Sequence, residues 1–437
     1  MSILKNASYL LSAQVLNLVI GFISSIYSTR LLGPEGRGMS AIFNNGLTFI
    51  ILFFSITISS SVVYFVNSGK LKLENLLSSL LLFSLFSTAL VFLSLVILKQ
   101  IGYLGLTLPE GYQTYPYILL ITFLYFNKLV NTILVAIMTA QKEFKYQSML
   151  FLVPGIVAAS VYICVFYFWF ELSVYAFELV VAVTSAMIVI NLVMTISVYA
   201  KVIGRKPARE MITWNEFKEV LTFSLFLHVG NVLNFLIMRM DYWFIDAYWG
   251  KAALGIYAVA SQLAQLIAIF PSAVNPMIYS YSASMKDRDS IEFIQRTTNI
   301  TLYACVLFSI AETILVYFFV TTLYGEEFVE AKYIMPLLLV GVLPFVVITT
   351  IGVYFSSNGR SDINLRSSVA SFLVCLILYP LMTRAFSVYG AAAASAIAYS
   401  VRACVMLYFA KIYGLSIKNS LSFTKTFGYI KELMKTT

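Results

Sequence analysis

The sequence predicts an all-α integral membrane protein, with twelve transmembrane helices in two six-helix lobes related as parallel repeats around a central cavity. Three observations carry this. Only 11% of the 437 residues are charged and 60% are hydrophobic, whereas a soluble chain carries about a quarter charged residues. Apolar runs long enough to cross a bilayer recur from end to end. The first of these runs also has a counterpart exactly half-way along the chain's helices: Gln14-Val15-Leu16-Asn17 is followed 217 residues later by Asn231-Val232-Leu233-Asn234, and Gly33, Gly38 and Ala41 fall on Gly250, Gly255 and Ala258.

The spans are expected at Tyr9–Thr29, Ser40–Val66, Leu76–Leu98, Tyr117–Ala140, Ser148–Trp169 and Val174–Tyr199. After a basic connector they resume at Leu221–Ile245, Leu254–Tyr279, Ile300–Thr321, Ile334–Ser356, Ser368–Ala385 and Ala391–Ile412. None shows the alternation of a β-barrel strand. The first run is too long for a signal-peptide core and has no small-x-small cleavage site, so it reads as a retained helix. Twenty of the 29 Lys and Arg residues fall in one set of loops and termini and six in the other, with three inside the spans. The positive-inside rule then places both termini and the connector in the cytoplasm. The division that follows is an N-terminal lobe at 1–200, a connector at 201–220, a C-terminal lobe at 221–412 and a basic tail at 413–437. Thr213-Trp214-Asn215-Glu216 reads as a capping box opening the seventh helix. The tail needs only anionic lipid headgroups to account for its charge.

An offset spanning six helices, an even number, gives both halves the same topology and predicts a site at their interface. The ionisable groups inside the spans are Lys128, Glu178, Arg239, Asp241, Glu312 and Arg402, with His228 near the end of its helix. Each costs at least ~2.5 kcal/mol at the centre of a lipid-facing helix, so a cavity or a helix interface is their expected place. At about 100° per residue, Asn231, Asn234, Met238 and Asp241 share one arc of the seventh helix, with His228 and Arg239 at its edge. Gln14, Asn17, Gly21 and Ser24 repeat that stripe on the first. Lys128 lies near Asn131 and Thr132, and Arg402 near Ser395 and Tyr399. A structural reading stands beside the functional one: Arg239 could pair with Asp241 or Glu312, and amides can simply join helices. As the only histidine, His228 cannot belong to a His cluster and reads as an interface residue. Prolines 154, 271, 276, 336, 344 and 380 permit kinks.

Other classes fit less well. The net charge of +9 is scattered between apolar runs, which speaks against nucleic acid. There is no Walker A motif, the four cysteines form no CxxC pair, and neither a metal nor a cofactor is implied. A membrane glycosyltransferase or polymerase would be expected to present acids or histidines at a water-facing site. The longest outward connector, Lys99 to Pro116, has no His and one acid, Glu110. The chain therefore does not read as an enzyme.

Arg30-Leu31-Leu32-Gly33-Pro34-Glu35-Gly36-Arg37-Gly38 resembles the end of the first helix in bacterial polysaccharide flippases. These are the O-antigen and capsule repeat-unit transporters of the multidrug/oligosaccharidyl-lipid/polysaccharide exporter superfamily. Asp241 followed by Gly255-Ile256-Tyr257-Ala258-Val259-Ala260 resembles their second-half signature, and Tyr389-Gly390-Ala391-Ala392-Ala393-Ala394 the entry to their last helix. The resemblance implies alternating access in the bacterial inner membrane, moving an undecaprenyl-diphosphate-linked oligosaccharide to the periplasmic leaflet, with H+ or Na+ as coupling ion. On that reading Arg239, Arg402 and Lys128 attract the diphosphate, and Asn231, Asn234, Asn17 and Gln14 meet sugar hydroxyls. Asp241, Glu312 and Glu178 serve coupling or charge balance, and Arg30 is a gate or a snorkelling residue. The alternatives within the superfamily are a lipid II flippase and a cation-coupled multidrug exporter. The first should carry a denser N-terminal arginine cluster, and the second a net acidic cavity.

Overall fold

The computed structural model describes residues 3–169, 175–282 and 287–415, so Lys286, Lys418, Lys425, Lys431 and Lys435 lie outside the described residues, with the tail from 416 onward. Among the described residues all regular structure is helical. An apolar chain in lipid has no water to satisfy its amides, and only helices or closed barrels satisfy them internally. The helices are α1 (Ile3–Ser55), α2 (Ile58–Asn67), α3 (Leu73–Gln100), α4 (Tyr115–Ala140), α5 (Phe144–Phe168) and α6 (Ala176–Val202). Then follow α7 (Trp214–Ala264), α8 (Ile269–Ser282), α9 (Asp287–Tyr324), α10 (Ala331–Val340), α11 (Val342–Ser357) and α12 (Ser361–Ile412). Eight helical stretches and one bent pair, α10–α11, are long and apolar enough to cross a bilayer. Three of the eight break once, at Gly33, Gly250 and Phe386–Ser387, which brings the spans to twelve.

The breaks explain where sequence and structure part. Gly33 to Gly38 reads as a loop in the sequence, yet Gly33 alone leaves the helix, at φ 61° and ψ −178°. Pro34 restarts it at once, since proline's missing N–H is not needed in a first turn. Prolines are not where the chain breaks. Pro154, Pro276, Pro336 and Pro380 sit inside helices, while Pro271 and Pro344 occupy first turns. The remaining interruptions fall at Ile56–Thr57, both left-handed, and at Gly341, where α10 and α11 meet at 42°.

The chain forms two compact units, 1–232 and 233–437, with the boundary inside α7. In the first unit α1 packs on α5 and α6, and α4 on α2, α3 and α6. Its core includes Phe43, Leu47, Ile121, Leu124, Ile133 and Ile137. The segment after α3 folds back inward, burying Leu104 and Leu108. A Cβ at Gly46 would lie 2.6 Å from the Thr107 Cα, so only glycine lets α1 approach that segment. The connector is strapped along the start of α3. Arg205 meets Glu74 at 2.8 Å, the Ala208 amide donates to the Glu74 carbonyl, Ser78 Oγ donates to the Ala208 carbonyl, and the Ile212 amide donates to Ser79 Oγ. The start of α7, up to Val232, continues this unit: His228 is buried between helices, beside Phe53 and Thr57.

In the second unit α11 packs on α8, α9 and α12, and α10 on α9 and α12. Ile237 and Met240 of α7 meet Cys375, Tyr379, Ala394 and Ala398 of α12. The wide faces left open, such as Leu307, Ile310, Leu315 and Phe318 of α9, are apolar, as lipid contact requires.

Local geometry recurs at the 217-residue offset. Gly250 repeats the Gly33 conformation at φ 80° and ψ −178°. Lys142 (φ 62°) and Gly359 (φ 72°) occupy equivalent left-handed positions. Each lies between a helix ending at Ala140 or Ser357 and one beginning at Phe144 or Ser361. Even a side-chain bond repeats: Gln147 Nε2 donates to Thr139 Oγ1 at 2.9 Å, and Asn364 Nδ2 to Ser356 Oγ at 2.8 Å.

Candidate substrate-binding pockets

Each unit holds a polar pocket of its own. That of the first unit, about 440 Å³, opens between α2, α4, α5 and α6. Helical spacing on α4 brings Lys128, Asn131, Thr132 and Thr139 to it, opposite Ser59, Ser60, Gln147 and Asn191. Its polar wall is built by Asn191, whose Nδ2 donates to the Leu150 carbonyl at 3.0 Å and whose Oδ1 accepts from Asn131 Nδ2 at 2.9 Å. The Asn131 Oδ1 is buried without a partner. No acid lines this pocket, and among the described residues Lys128 has no ion-pair partner.

The second unit's pocket, about 150 Å³, is lined by Met238 and Asp241 of α7, by Ser261 and Gln265, and by Ser395 and Tyr399 of α12. Asp241 is 3% exposed. Its carboxylate accepts from the Tyr257 hydroxyl at 2.6 Å and from the Tyr242 amide at 2.9 Å. Arg239 donates from Nη1 to the Tyr242 hydroxyl at 2.7 Å and from Nη2 to Gln265 Oε1 at 2.8 Å. Its guanidinium carbon lies 5.1 Å from the centre of the Tyr242 ring. Arg402 donates from Nη1 to Asn234 Oδ1 at 2.7 Å, while its buried Nε has no partner. A guanidinium bonded to a neutral amide, with its buried Nε unused, keeps donor capacity for a further acceptor.

Arg239, Arg402 and the remaining residues singled out from sequence line neither pocket. Glu178, in the first turn of α6, accepts from the Tyr112 hydroxyl at 2.6 Å and so fastens the segment after α3. Arg30 is exposed, 5.8 Å from the Phe166 ring centre. Gln14 and Asn231 are both exposed and Asn17 and Asn234 both half-buried, in keeping with the repeat. Asn231 donates to Thr57 Oγ1 at 3.3 Å. Glu312 is buried on α9 with neither oxygen hydrogen-bonded. Sequence reasoning missed Gln147, Asn191, Tyr242, Tyr257 and Gln265. The criterion that picked Asn131, an amide inside an apolar run, applies equally to Asn191 and Gln265. The tyrosines were hidden in a chain with 29 of them. Among the described residues no group of three His, Cys, Asp or Glu side chains could hold a metal.

Comparison with known proteins adds a family and a fold. A profile of the family described as "Polysaccharide biosynthesis protein" matches residues 28–333, well over half of the chain. An uncharacterized membrane protein of Haemophilus influenzae is 22% identical over 339 residues, which cover 76% of this chain and 78% of that protein. The lipid II flippase MurJ, in an inward closed conformation, superposes with a TM-score of 0.71 at 16% identity, covering 96% of this chain and 89% of its own. An outward-facing multidrug-resistance MATE transporter of the MOP superfamily gives 0.63 at 12% identity, with 94% of each chain covered. The likeness to these structures establishes a shared fold.

Proposed function

The chain belongs to the polysaccharide biosynthesis protein family, and from that premise we propose that it is a flippase for an undecaprenyl-diphosphate-linked oligosaccharide repeat unit. It moves the unit from the cytoplasmic to the periplasmic leaflet of the bacterial inner membrane by alternating access, with both termini cytoplasmic, and draws on an ion gradient or the membrane potential. It performs no covalent chemistry.

The observation that carries the cargo class is the pair of uncommitted cations. Lys128 stands in a pocket with no acid, and Arg402 keeps its Nε unused beside Asn234. In a low-dielectric interior such groups favour a diphosphate strongly. Guanidinium and ammonium differ usefully here: the arginine grips two oxygens in a plane and the lysine acts as a point charge. Asn131, Asn191, Thr132, Gln265 and Ser261 supply the donors and acceptors that sugar hydroxyls require. A multidrug exporter for cations would need an acidic pocket, and the larger pocket is the reverse. A lipid II flippase shares the diphosphate chemistry, and the family assignment favours the polysaccharide unit over it.

Deleting the gene should trap lipid-linked repeat units on the cytoplasmic leaflet and strip the surface polysaccharide. Intact surface polysaccharide with an altered drug tolerance would overturn the assignment, and a block in peptidoglycan synthesis alone would transfer it to lipid II. Arg402→Ala and Lys128→Ala should each reduce export by about tenfold or more, since a hydrogen bond to a charged group contributes about 1.5–3 kcal/mol. Protein levels in the membrane should stay normal. Unchanged export would remove that residue from the site.

A further inference from the structure

Among the described residues Glu312 stands apart from Asp241, the other buried acid, and from the half-buried acids that have a donor. Asp241 accepts from Tyr257, Glu178 from Tyr112, Glu74 from Arg205, Asp246 from Lys251 and Asp362 from Arg360. Glu312 is 6% exposed, and both of its carboxyl oxygens are buried with no hydrogen-bond partner. It lies on the inward stripe of α9, with Cys305, Val316 and Val320. The hydroxyl of Ser309, one turn earlier on the same face, is also buried without a partner.

No charge on the neighbouring elements answers it. α9 packs on α8, α10, α11 and the two short 3-10 turns Gln265–Ala268 and Glu326–Phe328. α8 and α11 contain no Asp, Glu, Lys, Arg or His, their titratable groups being Tyr279, Tyr281 and Tyr354. α10 contributes Lys332 and Tyr333 at its beginning, where the Lys332 ammonium sits 5.0 Å from the centre of the Tyr317 ring and 5.1 Å from that of Tyr333. The second 3-10 turn adds Glu326 and Glu327, further acids. On α9 itself the nearest cation in sequence, Arg296, is about 24 Å away along the helix axis at 1.5 Å per residue; Asp287, Arg288, Asp289 and Glu292 lie further towards its start, and Tyr303, Cys305, Tyr317 and Tyr324 complete its titratable groups. An ionised carboxylate buried with neither counter-ion nor donor is too costly to persist. A hard metal ion would need about six oxygens around it, whereas a proton needs one.

We propose that Glu312 is a proton-binding site, occupied in this conformation, which exchanges its proton during the transport cycle. Ser309 is its first relay partner. The step is an O–H bond broken at the carboxyl oxygen as the proton passes to the hydroxyl or to water, and re-formed on return. The inference deepens the transport reading, and rests on it only for the coupling; the protonation of Glu312 stands alone.

The first measurement needs no cargo. Infrared spectra of the full-length protein in lipid vesicles, wild type minus Glu312→Gln, are recorded from mildly acidic to alkaline pH. The expected difference is the carbonyl stretch of a protonated carboxylic acid, shifted in heavy water and titrating away reversibly. Absence of that band at every pH, or its persistence across the whole folded range, overturns the proposal. Glu312→Met replaces the variant in the subtraction if Glu312→Gln does not accumulate. The second measurement uses vesicles carrying a polyprenyl-diphosphate-linked sugar as probe. If one proton is coupled, each unit of imposed pH gradient should change the leaflet ratio of the probe about tenfold in the wild type. The Glu312→Gln ratio should not respond, though the variant still equilibrates the probe. A wild type driven by a sodium gradient and indifferent to pH overturns the coupling. A wild type that never moves the probe overturns the transport reading instead, and leaves the infrared titration to decide Glu312.

Discussion

Asp241 and Arg402 show how the same apolar surroundings are handled in two ways. The carboxylate of Asp241 is enclosed by donors, with the Tyr257 hydroxyl at 2.6 Å and the Tyr242 amide at 2.9 Å, whereas the guanidinium of Arg402 has a donor left over. The first arrangement holds a charge in place, and the second leaves capacity for a ligand. Removing the Tyr257 hydroxyl should therefore be a stability change before it is a transport change. Tyr257→Phe is expected to cost about 1.5–3 kcal/mol, the range for a hydrogen bond to a charged group, read as a lower unfolding midpoint in detergent. Because Asp241 is the partner, Asp241→Asn combined with Tyr257→Phe should cost less than the two single changes added together. The sequence located Asp241 and Arg402 by their cost in a membrane, but it could not supply their partners. Asn234 and Arg402 are 168 residues apart, and no periodicity encodes a contact of that range.

At the scale of the element, the start of α7 is the clearest case of local chemistry deciding a boundary. Glu216 accepts from the Thr213 amide at 2.7 Å and from the Thr213 hydroxyl at 2.8 Å, the reciprocal cap read from Thr213-Trp214-Asn215-Glu216. These bonds hold the Glu216 carboxyl below its ordinary value, the backbone bond being the larger cause. A depressed acid contributes stability that is complete above its unfolded pKa and fades as pH falls through the folded one. The amides of 213–217 should thus keep their hydrogen-exchange protection at neutral pH and lose it in acid below the usual glutamate range. Glu216→Gln should show the weaker protection at every pH. The connector just before this cap was legible only as a basic stretch. Its strap along α3, through Glu74, Ser78 and Ser79, is made largely by backbone groups, which carry no sequence signal.

For the molecule as a whole, the internal repeat is the organising fact, and it extends to backbone strain. Lys142 adopts a left-handed conformation at the position where the second copy has Gly359. Such a conformation costs a non-glycine residue about 1–2 kcal/mol. Lys142→Gly should recover much of that and raise the unfolding midpoint, while Gly359→Ala should lower it by a similar amount; equal midpoints in both variants would show that the two turns are not equivalent. The twelve spans and the offset were legible because lipid imposes length and composition on a helix and the glycines mark the joints. The positions of Ile56–Thr57, Gly341 and Phe386–Ser387 as breaks were not, because nothing in their residue types demands one. Proline, the residue most expected to break a helix, does so at none of them. Neighbouring helices hold the chain where intrinsic preference does not.

The joints at Gly33, at Gly250 and at Phe386–Ser387 bear on how such a chain can be mapped. Each joins two crossings through one or two residues, leaving no loop for a protease, an inserted epitope or a cysteine-directed reagent to reach. The segment after α3 is longer, yet Leu104, Thr107 and Leu108 are buried within it. Accessibility mapping of this protein would therefore register the basic turns around Lys70, Lys142 and Arg360 and the exposed Ile101, Tyr103 and Glu110 of that segment, and pass over the three joints, where silence reports a tight connection and not residence in lipid.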